Sequence, residues 1–554
     1  MTATPMHGTN DQTRHIAPQT SLYANLEATA SRDPDKGAIL YYGRMLRYGQ
    51  LRHEVDAIAG YLQQHCGIAR GDRVILYMQN SPQFVIAFYA ILRADAVVVP
   101  VNPMNRTAEL QHILEDSGAR VAFVGDELMT NVGSLSGHSL DYVIRTRYAG
   151  YVLDHADLPL PDVLMSAKTQ VYEANGDGHI VIKDWCEALA HACAPRDHEA
   201  GAEDLAVIPY TSGTTGHPKG CIHTHRSVMY STVACAQWSK TGKKNTLLCS
   251  VPLFHVTGMQ NCMNMPIFTG ATMVIMTRWD ATCAAHLIER YGISTWITVP
   301  TMLIDLLNLE DIDRFNLRSI AYLSGGGAAM PQAVARQIGE LWGIPYIEGY
   351  GLTETMAATH INPPEKSKQQ CMGVPIFDTD AIVVDPETLQ ALSEGETGEI
   401  LVNGPQVFDG YWKAPEATRD AFALIDGKRY LRTGDLGYMD SDGYFFIVDR
   451  LKRMINASGY KVWPAEVEAM LFEHPAIQEA CVIATHDARR GESVKAIVVL
   501  RSGQHATAEE IVSWARERMA SYKVPRAVQF AATLPRTASG KIQWRLLQEG
   551  EMQR

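Results

Sequence analysis

Features that mark several common protein classes are missing from this sequence of 554 residues. Its ten cysteines include no C-x-x-C pair, which argues against a disulfide framework and predicts reduced thiols. No apolar run is long enough to span a bilayer, and no low-complexity tract interrupts the chain. The net charge of −12 leaves no basic surplus to neutralise a phosphate backbone, which argues against a general nucleic-acid binder.

The two ends of the sequence carry no recognisable targeting signal. The opening MTATPMHGTNDQTRHIAP has no apolar signal core, and the closing EGEMQR is neither a lipidation site nor a peroxisomal address. We therefore predict a cytoplasmic protein in which residues 1–20 form a disordered extension.

The chain is too long for a single hydrophobic core, so two or more domains are expected. Between residues 71 and about 370, β-branched apolar runs alternate with helical segments, which predicts parallel sheets covered by helices. Strands are predicted at 272–276, 294–300, 319–327 and 344–351, and Ser81-Pro82 opens a helix that contains the apolar run FVIAFYAIL. Short strands follow, with a hairpin turn predicted at Asp440–Gly443, and a compact α+β unit begins at Pro464. We place a domain boundary near Arg450, which gives a large domain over 21–449 and a small one over 450–554.

Charge is distributed unevenly across this boundary. Residues 450–554 contain 16 Lys and Arg against 11 Asp and Glu, whereas the rest of the chain is acidic. A basic module on an acidic body is typical of a unit that meets an anionic ligand, although a chance surface bias would give the same count.

One short segment, YTSGTTGHPKG over Tyr210–Gly220, has the composition of a phosphate-binding loop. Its glycines allow backbone N–H groups to converge on an anion, and its hydroxyls and Lys219 add donors. It does not match the Walker pattern, because Gly216 follows Gly213 by three residues and Lys219 precedes a glycine. Taken alone, the segment fits a phosphate cradle or an ordinary polar turn equally well.

Four further stretches combine glycine with side chains suited to nucleotide chemistry. EGYGLTET (348–355) ends a predicted strand and places Tyr350, Thr353 and Glu354 together, which suits base stacking and a metal held between carboxylate and phosphate. LRTGDLGYMD (431–440) presents Asp435 in a turn, where it could bind a sugar diol. The others are DRLKRMINASGYKVWPAEVE (449–468) and LPRTASGKIQWRLL (534–547), the latter with Lys541. Each alone could be a surface loop.

Together and in this order, the five stretches resemble the acyl-adenylate-forming superfamily, which includes acyl-CoA synthetases, luciferases and peptide-synthetase adenylation domains. The resemblance covers about residues 20 to 547, and PLFHVTG (252–258) and SGYKVWPAEVE (458–468) make it strongest to fatty-acyl-CoA ligases. It implies an α/β protein with a large N-terminal domain of two stacked α/β sheets plus a distorted β-barrel. A small mobile α+β C-terminal domain would rotate about a hinge near Lys452.

The resemblance also implies a reaction in two halves, with ATP, Mg²⁺ and CoA. A carboxylic acid, expected to be a medium- or long-chain fatty acid, attacks the ATP α-phosphate to give acyl-AMP and pyrophosphate; CoA then displaces AMP. An aryl or branched acid, or transfer to a carrier-protein phosphopantetheine, are the alternatives. The expected partners are these small molecules and no nucleic acid; a homodimer and weak peripheral membrane contact are compatible with the resemblance.

Residue roles follow from the same resemblance, segment by segment. The β- and γ-phosphates are assigned to Thr211, Ser212, Gly213, Thr214, Thr215 and Lys219. The adenine is assigned to Gly325, Gly326, Gly327 and Tyr350, the ribose to Asp435 and Arg450, and nucleotide binding in general to Glu348, Gly349 and Gly351. Thr353 would contact the α-phosphate, Glu354 with Thr211 would bind Mg²⁺, and Lys541 would reach the reacting carboxylate. Lys452 is assigned to the hinge, and the thioester-forming face is assigned to Ser458, Gly459, Tyr460 and Lys461.

Two predictions for the acyl site are less specific. His255 lies in PLFHVTG, whose histidine in the family lies between acyl carboxylate and nucleotide, but a lone histidine is more often structural. The following MQNCMNMPIF is apolar and rich in methionine. It fits an adaptable wall against an alkyl chain or a core helix with methionine as filler.

Overall fold

The computed structural model describes residues 17–153, 158–165, 180–211, 218–327, 329–457, 460–487, 491–536 and 542–552. Within these ranges the chain forms four β-sheets and the helices that cover them. The α-helices are α1 (Tyr23–Arg32), α2 (Tyr48–Gln64), α3 (Pro82–Arg93), α4 (Thr107–Ser117), α5 (Met129–Gly133), α6 (Asp162–Met165), α7 (Trp185–Ala190), α8 (His225–Trp238), α9 (Val256–Gly258), α10 (Met265–Thr269), α11 (Ala281–Tyr291), α12 (Pro300–Leu307), α13 (Gln332–Trp342), α14 (Pro415–Asp420), α15 (Pro464–Phe472), α16 (Ala508–Arg516) and α17 (Trp544–Met552).

The first sheet is parallel in its centre and antiparallel at both edges. This pattern confirms the strands predicted at 272–276, 294–300, 319–327 and 344–351. In spatial order the strands are β17 (Val374–Pro375), β16 (Ala357–Ile361), β15 (Tyr346–Leu352), β14 (Tyr322–Gly326), β13 (Thr295–Thr298), β11 (Thr246–Cys249), β12 (Thr272–Ile275), β1 (Gly37–Tyr41) and β2 (Arg44–Arg47).

The second sheet is parallel over most of its width and becomes antiparallel where the glycine-rich segment enters it. Its strands, in spatial order, are β20 (Gly410–Tyr411), β10 (Lys219–Thr224), β8 (Leu205–Val207), β4 (Val97–Pro100), β3 (Arg73–Tyr77), β5 (Val121–Gly125), β6 (Tyr142–Thr146) and β7 (Val181–Asp184), and β9 (Tyr210–Thr211) pairs with β10.

A layer of helices lies between these two sheets, as a stacked arrangement requires. Ser81 caps α3 by accepting a hydrogen bond from the Phe84 N–H, and Pro82 occupies the first helical position. Every residue of α3 from Pro82 to Leu92 is buried, and one hydrophobic core joins α3 and α8 to strands of both sheets. The uninterrupted apolar run FVIAFYAIL therefore forms a helix that is enclosed on all sides.

The third sheet is antiparallel and corresponds to the distorted β-barrel that the resemblance implies. It consists of β18 (Asp380–Val384), β19 (Gly398–Asn403), β22 (Lys428–Met439), β21 (Phe422–Ile425) and β23 (Phe445–Arg450), with β21 and β23 both paired to β22. Asp440 to Gly443 form the predicted turn between β22 and β23, with Gly443 at a φ of 81°. A shared core joins this sheet to Cys221 of β10 and to Tyr350 of β15.

The fourth sheet belongs to the small α+β unit at the end of the chain. After β23 the chain makes a 3₁₀ turn over Leu451–Arg453 and enters this sheet at Ile455. The strands are β25 (Tyr460–Val462), β24 (Ile455–Ala457), β27 (Gly491–Leu500), β26 (Ile477–Asp487) and β28 (Ala527–Phe530). A separate hydrophobic core lies between this sheet and helices α15 and α16. Among the helices that the structure describes, none is both long and apolar enough to cross a membrane.

Candidate functional site

The glycine-rich segment connects the two strands of a hairpin. Thr211 of β9 lies opposite Lys219 of β10, and Tyr210 lies opposite Gly220. The predicted phosphate contacts Ser212, Gly213, Thr214 and Thr215 lie outside the described residues. The structure therefore describes the two stems of this segment, which stand side by side at the edge of the second sheet.

Both stems are held by the C-terminal half of α4. The Tyr210 hydroxyl donates to Asp116 Oδ2 at 2.6 Å, and His112 Nε2 donates to the Pro218 carbonyl at 3.0 Å. Burial raises the pKa of Tyr210, with the Asp116 hydrogen bond adding to the effect, so the phenol stays protonated as a donor. The positions at which the chain enters and leaves the segment are thus fixed by side chains more than 90 residues away in sequence.

The three glycines at the end of β14 lie where a side chain would not fit. A Cβ on Gly325 would be 1.9 Å from the Thr298 carbonyl oxygen, and one on Gly326 would be 2.3 Å from the Gly349 carbonyl oxygen. Gly327 has a φ of 88°, a conformation that favours glycine. Because β14 and β15 are parallel, these glycines and Tyr350 lie at the same carboxyl edge of the sheet, where open α/β sheets bind ligands.

Tyr350, Asp435 and Arg450 form one hydrogen-bonded group. The Tyr350 hydroxyl donates to Asp435 Oδ2 at 2.5 Å, and Arg450 Nε lies 2.6 Å from Asp435 Oδ1. Asp435 and Arg450 are cross-strand partners in β22 and β23. The structure therefore brings together the residue predicted to flank adenine and the pair predicted to bind ribose.

Asp435, which the sequence predicts in a turn, lies within β22 at an irregular turn of that strand, where Gly434 has a φ of 68°, and a buried glutamate of β19 supports this turn. Glu399 is 1% exposed, forms an ion pair with Arg432 at 2.6 Å, and accepts the Gly434 N–H at 3.2 Å. The Thr433 hydroxyl donates to the Ile400 carbonyl at 2.6 Å and accepts the Asp435 N–H at 3.0 Å. These contacts fix the orientation of the turn on β19.

Glu354 and Thr353 lie in a 3₁₀ turn directly after β15. Glu354 Oε1 accepts from the Tyr411 hydroxyl at 2.8 Å, and the Glu354 carbonyl accepts from Phe408 N–H at 2.8 Å. The Thr353 carbonyl accepts from His223 Nε2 at 2.8 Å. Burial lowers the pKa of His223 to about 4, so the imidazole is a neutral donor. The turn is thus tied to β10 and to the segment leading into β20.

The other residues of β15 assigned to the nucleotide, Glu348, Gly349 and Gly351, all contact or closely approach neighbouring backbone. The Glu348 carboxylate accepts the N–H groups of Gln370 at 2.6 Å and Met330 at 3.3 Å, and burial raises its pKa to about 7. Gly349 pairs with Gly326 in the parallel ladder. A Cβ on Gly351 would be 1.6 Å from the Ala357 carbonyl oxygen. Direct nucleotide contact by these three residues stays a prediction.

Magnesium coordination at Glu354 is compatible with this geometry only if ATP supplies part of the ligand set. Across the described ranges no three His, Cys, Asp or Glu side chains meet in a way that could hold a metal ion. Mg²⁺ is commonly held by one or two carboxylates together with substrate phosphates and water. With one oxygen bonded to Tyr411, the Glu354 carboxylate has a second oxygen suited to such a cation.

His255 begins a helical segment in the first half of the chain. Its Nδ1 accepts the Thr257 N–H at 3.3 Å at the start of α9, which continues as a π-helical turn over Met259–Asn264 and then as α10. The methionines of this segment, Met259, Met263 and Met265, are fully buried. The structure therefore gives His255 a capping role and places the methionines in the core; contact of either with an acyl group stays a prediction.

The predicted C-terminal residues are described in part. Ser458, Gly459 and Lys541 lie outside the described residues, and for Lys452, Tyr460 and Lys461 the backbone alone is described. Lys452 lies in the 3₁₀ turn between the third and fourth sheets. Arg545 of α17 interacts electrostatically with Arg450; burial lowers the Arg545 pKa, and the repulsion from Arg450 acts in the same direction. The last helix of the small unit therefore lies near the predicted ribose site.

Sequence reasoning missed several supporting residues. Tyr411, His223 and Glu399 each contact a predicted site residue or its backbone, yet none lies in a stretch that suggested nucleotide chemistry. Neither the Gly410-Tyr411 pair of β20 nor the sequence around His223 in β10 has a charge pattern that indicates a binding site. Their contacts join residues 57, 130 and 35 positions apart, which only the fold brings together.

Comparison with protein families gives two matches along the chain. The model described as "AMP-binding enzyme" matches residues 26–412, and the model described as "AMP-binding enzyme C-terminal domain" matches residues 466–541. The first match covers more than half of the chain.

Similar proteins of full length have been described. A long-chain-fatty-acid–CoA ligase of Bacillus subtilis is 37% identical over 548 residues, which cover 96% of this chain and 95% of that protein. A feruloyl-CoA synthase of an Amycolatopsis species is 32% identical, with coverage of 93% and 95%. Over nearly its whole length, the chain is therefore similar to proteins that are named as CoA ligases.

Solved structures show the same architecture. ATP-bound MatB of Rhodopseudomonas palustris is 25% identical and superposes with a TM-score of 0.82, over 96% of this chain and 99% of that chain. The apo form of the same protein, with the same coverage, gives 0.72. The overall arrangement of this chain is thus more similar to the ATP-bound form than to the apo form.

Proposed function

Because the chain belongs to the AMP-binding enzyme family and is an AMP-forming acid–thiol ligase that uses ATP and CoA, we propose that its acid is a medium- or long-chain fatty acid. The observation that carries this proposal is the 37% identity to a long-chain-fatty-acid–CoA ligase over 96% of the chain. The π-helical segment next to His255 contains the buried apolar side chains of Met259 and Met263, which are compatible with an alkyl substrate.

The chemistry divides into two substitutions that balance in atoms and charge. In the first, a carboxylate oxygen bonds to the ATP α-phosphorus while the bond to the bridging oxygen breaks, which releases pyrophosphate. In the second, the CoA thiolate, formed by loss of the thiol proton to water, attacks the acyl carbon, and AMP leaves with the electrons of the broken carbon–oxygen bond. Both steps depend mainly on positioning and charge stabilisation, so few acid–base residues are needed.

We assign the first step to the residues gathered at the edges of the first and second sheets. Lys219 and the hydroxyls of the glycine-rich segment would hold the β- and γ-phosphates. Tyr350 would flank the adenine, and Asp435 with Arg450 would bind the ribose hydroxyls. The hydrogen-bonded group of Tyr350, Asp435 and Arg450 supports this assignment, because it places a ring face beside a carboxylate in one site.

Magnesium would neutralise phosphate charge at Glu354 when it is bound. The protein contributes the position of that carboxylate, which is fixed from both sides: Tyr411 contacts its oxygen and His223 holds the preceding carbonyl. Thr353 would contact the α-phosphate from the same turn.

We also propose that residues 21–449 and 450–554 act as separate domains with a hinge near Lys452. The change of sheet between Arg450 and Ile455 supports this boundary. In the second step the face that contains Ser458, Gly459, Tyr460 and Lys461 would meet CoA, and Lys541 would serve the first step.

A second candidate substrate is an aryl acid such as a hydroxycinnamate. It is favoured by the 32% identity to a feruloyl-CoA synthase, at nearly the same coverage as the fatty-acid ligases. Both candidates use the same nucleotide chemistry and differ in the acyl pocket alone.

The deciding experiment measures pyrophosphate release with ATP, Mg²⁺, CoA and a panel of acids. The panel runs from acetate to stearate and includes ferulate and benzoate. We expect the highest kcat/KM with a medium or long alkyl chain. A maximum with ferulate would support the aryl candidate, and no release with any acid would contradict the ligase assignment for this chain.

The homodimer, weak peripheral membrane contact and cytoplasmic location stay proposals drawn from the resemblance and from the sequence. Light scattering of the purified enzyme tests the dimer. Co-sedimentation with anionic and zwitterionic vesicles tests membrane contact, and cell fractionation tests the location.

A further inference from the structure

We propose that Tyr411 is a positioning residue that holds the metal-binding carboxylate of Glu354 beside the phosphate-binding Lys219. The proposal rests on the roles assigned above to those two residues. Tyr411 lies outside the predicted nucleotide-binding stretches, and its contacts would fix the positions of two separate parts of the phosphate site relative to each other.

Tyr411 contacts both groups at once. Its hydroxyl donates to Glu354 Oε1 at 2.8 Å, and Lys219 Nζ lies 5.3 Å from the centre of its ring. The second distance is within the range of a cation–π interaction. One aromatic side chain thus touches the carboxylate through its polar end and the ammonium through its face.

The phenol is suited to this task because its hydroxyl donates a hydrogen bond to one oxygen of Glu354. A protonated hydroxyl fixes one carboxylate oxygen and leaves the negative charge in place. Phenylalanine would keep the ring over Lys219 and lose only the hydrogen bond.

The backbone around Tyr411 couples the same elements. Tyr411 pairs with Cys221 of β10, two residues after Lys219, and the Trp412 N–H donates to the Gly220 carbonyl at 2.8 Å. Phe408, just before β20, donates its N–H to the Glu354 carbonyl. The stem of the glycine-rich segment and the Glu354 turn are therefore both attached to the chain around β20, and Tyr411 is the residue whose side chain reaches both.

This arrangement has a consequence for metal binding. Groups that orient a metal-binding carboxylate affect metal affinity by about 10-fold or more when they are removed. If Tyr411 orients Glu354, its loss should weaken ATP binding in the presence of Mg²⁺ more than it weakens ATP binding in the absence of metal.

The test compares Tyr411→Phe with a matched control, Tyr430→Phe. Tyr430 is a tyrosine whose hydroxyl likewise donates to a carboxylate, Asp380 Oδ2 at 2.7 Å, but it lies among side chains of the third sheet away from Glu354. Calorimetry measures ATP binding to each full-length protein, without acid or CoA, over a Mg²⁺ titration and in EDTA. We expect the half-saturating Mg²⁺ concentration to rise about 10-fold in Y411F and to stay at the wild-type value in Y430F.

Glu354→Gln, alone and combined with Y411F, separates this proposal from the assignment on which it rests. We expect E354Q to raise the Mg²⁺ requirement and Y411F to add nothing in that background. An equal rise in both backgrounds would assign the effect to general loss of structure and overturn the proposal. A wild-type requirement in Y411F beside a raised one in E354Q would refute Tyr411 alone. A wild-type requirement in E354Q would refute the metal role of Glu354 itself.

Discussion

Burial keeps the imidazole rings of three histidines neutral at pH 7: it lowers the pKa values of His223, His225 and His360 to about 4, 4 and 3. In the unfolded chain each ring has an ordinary pKa near 6.5 and takes up a proton below that pH. The stability that these residues contribute is therefore fully present above about pH 6.5. It is lost as the pH falls toward the folded values, by roughly 3 kcal/mol each for His223 and His225 and roughly 5 kcal/mol for His360.

His360 offers the sharpest test, because its Nε2 is buried and has no hydrogen-bond partner among the described residues. Its Nδ1 contacts the Thr359 hydroxyl at 2.9 Å, and its ring packs against Phe445. We expect His360→Phe to retain stability at pH 7.5 and to be less acid-sensitive, by about 2 kcal/mol at pH 5. Urea unfolding at the two pH values measures the difference. The exposed-site variant His53→Gln should behave as wild type, and an unchanged pH dependence in H360F would contradict the assignment.

At the scale of the elements, Gly325 and Gly326 of β14 and Gly351 of β15 lie too close to the neighbouring backbone to carry a side chain. Gly325→Ala would place a Cβ 1.9 Å from the Thr298 carbonyl oxygen, so β13 or β14 must move. We expect a loss of roughly 1–3 kcal/mol in unfolding free energy and weaker ATP binding. Gly339 in α13 is the control, because a Cβ there meets no atom within 4 Å. Gly339→Ala should stabilise by about 0.5–1 kcal/mol. Equal stability of the two variants would contradict the close approach.

The irregular turn within β22 that carries Asp435 depends on the buried Glu399. Arg432→Met removes the partner of a carboxylate that is 1% exposed, and such a charge is costly to leave unpaired. We expect a destabilisation of roughly 3 kcal/mol, with an increased KM for ATP because Asp435 lies on the same turn. Urea unfolding and steady-state kinetics measure the two effects. The double variant R432M/E399Q should recover most of the stability, and its failure to do so would assign the loss to packing of the arginine stem.

At the scale of the whole molecule, contacts across the 3₁₀ turn set the position of the small C-terminal unit relative to β23. Asp449 Oδ2 accepts the Ala465 N–H of α15 at 2.7 Å, and Arg453 lies 3.7 Å from Asp449 and also contacts Glu468. These contacts join β23 to the small unit across the 3₁₀ turn. Together with the higher similarity to an ATP-bound relative than to its apo form, they describe one orientation of that unit.

A rotating small domain predicts separable half-reactions. We expect Lys541→Ala to lose about 100- to 1,000-fold in acyl-AMP formation, by analogy with the loss of a transition-state donor. Thioester formation from supplied acyl-AMP and CoA should be retained. Pyrophosphate release measures the first half-reaction and chromatography of acyl-CoA the second. Equal losses in both would contradict a domain that presents different faces in turn.

The sequence by itself determined the family-level fold, the strands of the parallel sheets and the segments that carry the nucleotide chemistry. These features have local signals: β-branched runs, a Ser81-Pro82 helix start, the Asp440–Gly443 turn and glycines where the backbone must approach closely. Short-range sterics and hydrophobic patterning act within a few residues, so a single sequence displays them.

The tertiary structure alone decided which side chains support the site. Tyr411 meets Glu354, Tyr350 meets Asp435, and Glu399 holds the Gly434 N–H, at separations of 57, 85 and 35 residues. Such contacts depend on strand register and on the packing of the third sheet against the first two, and neither leaves a periodic trace in the sequence. The buried histidines follow the same rule, because their pKa values are set by the removal of water, which only the assembled core accomplishes.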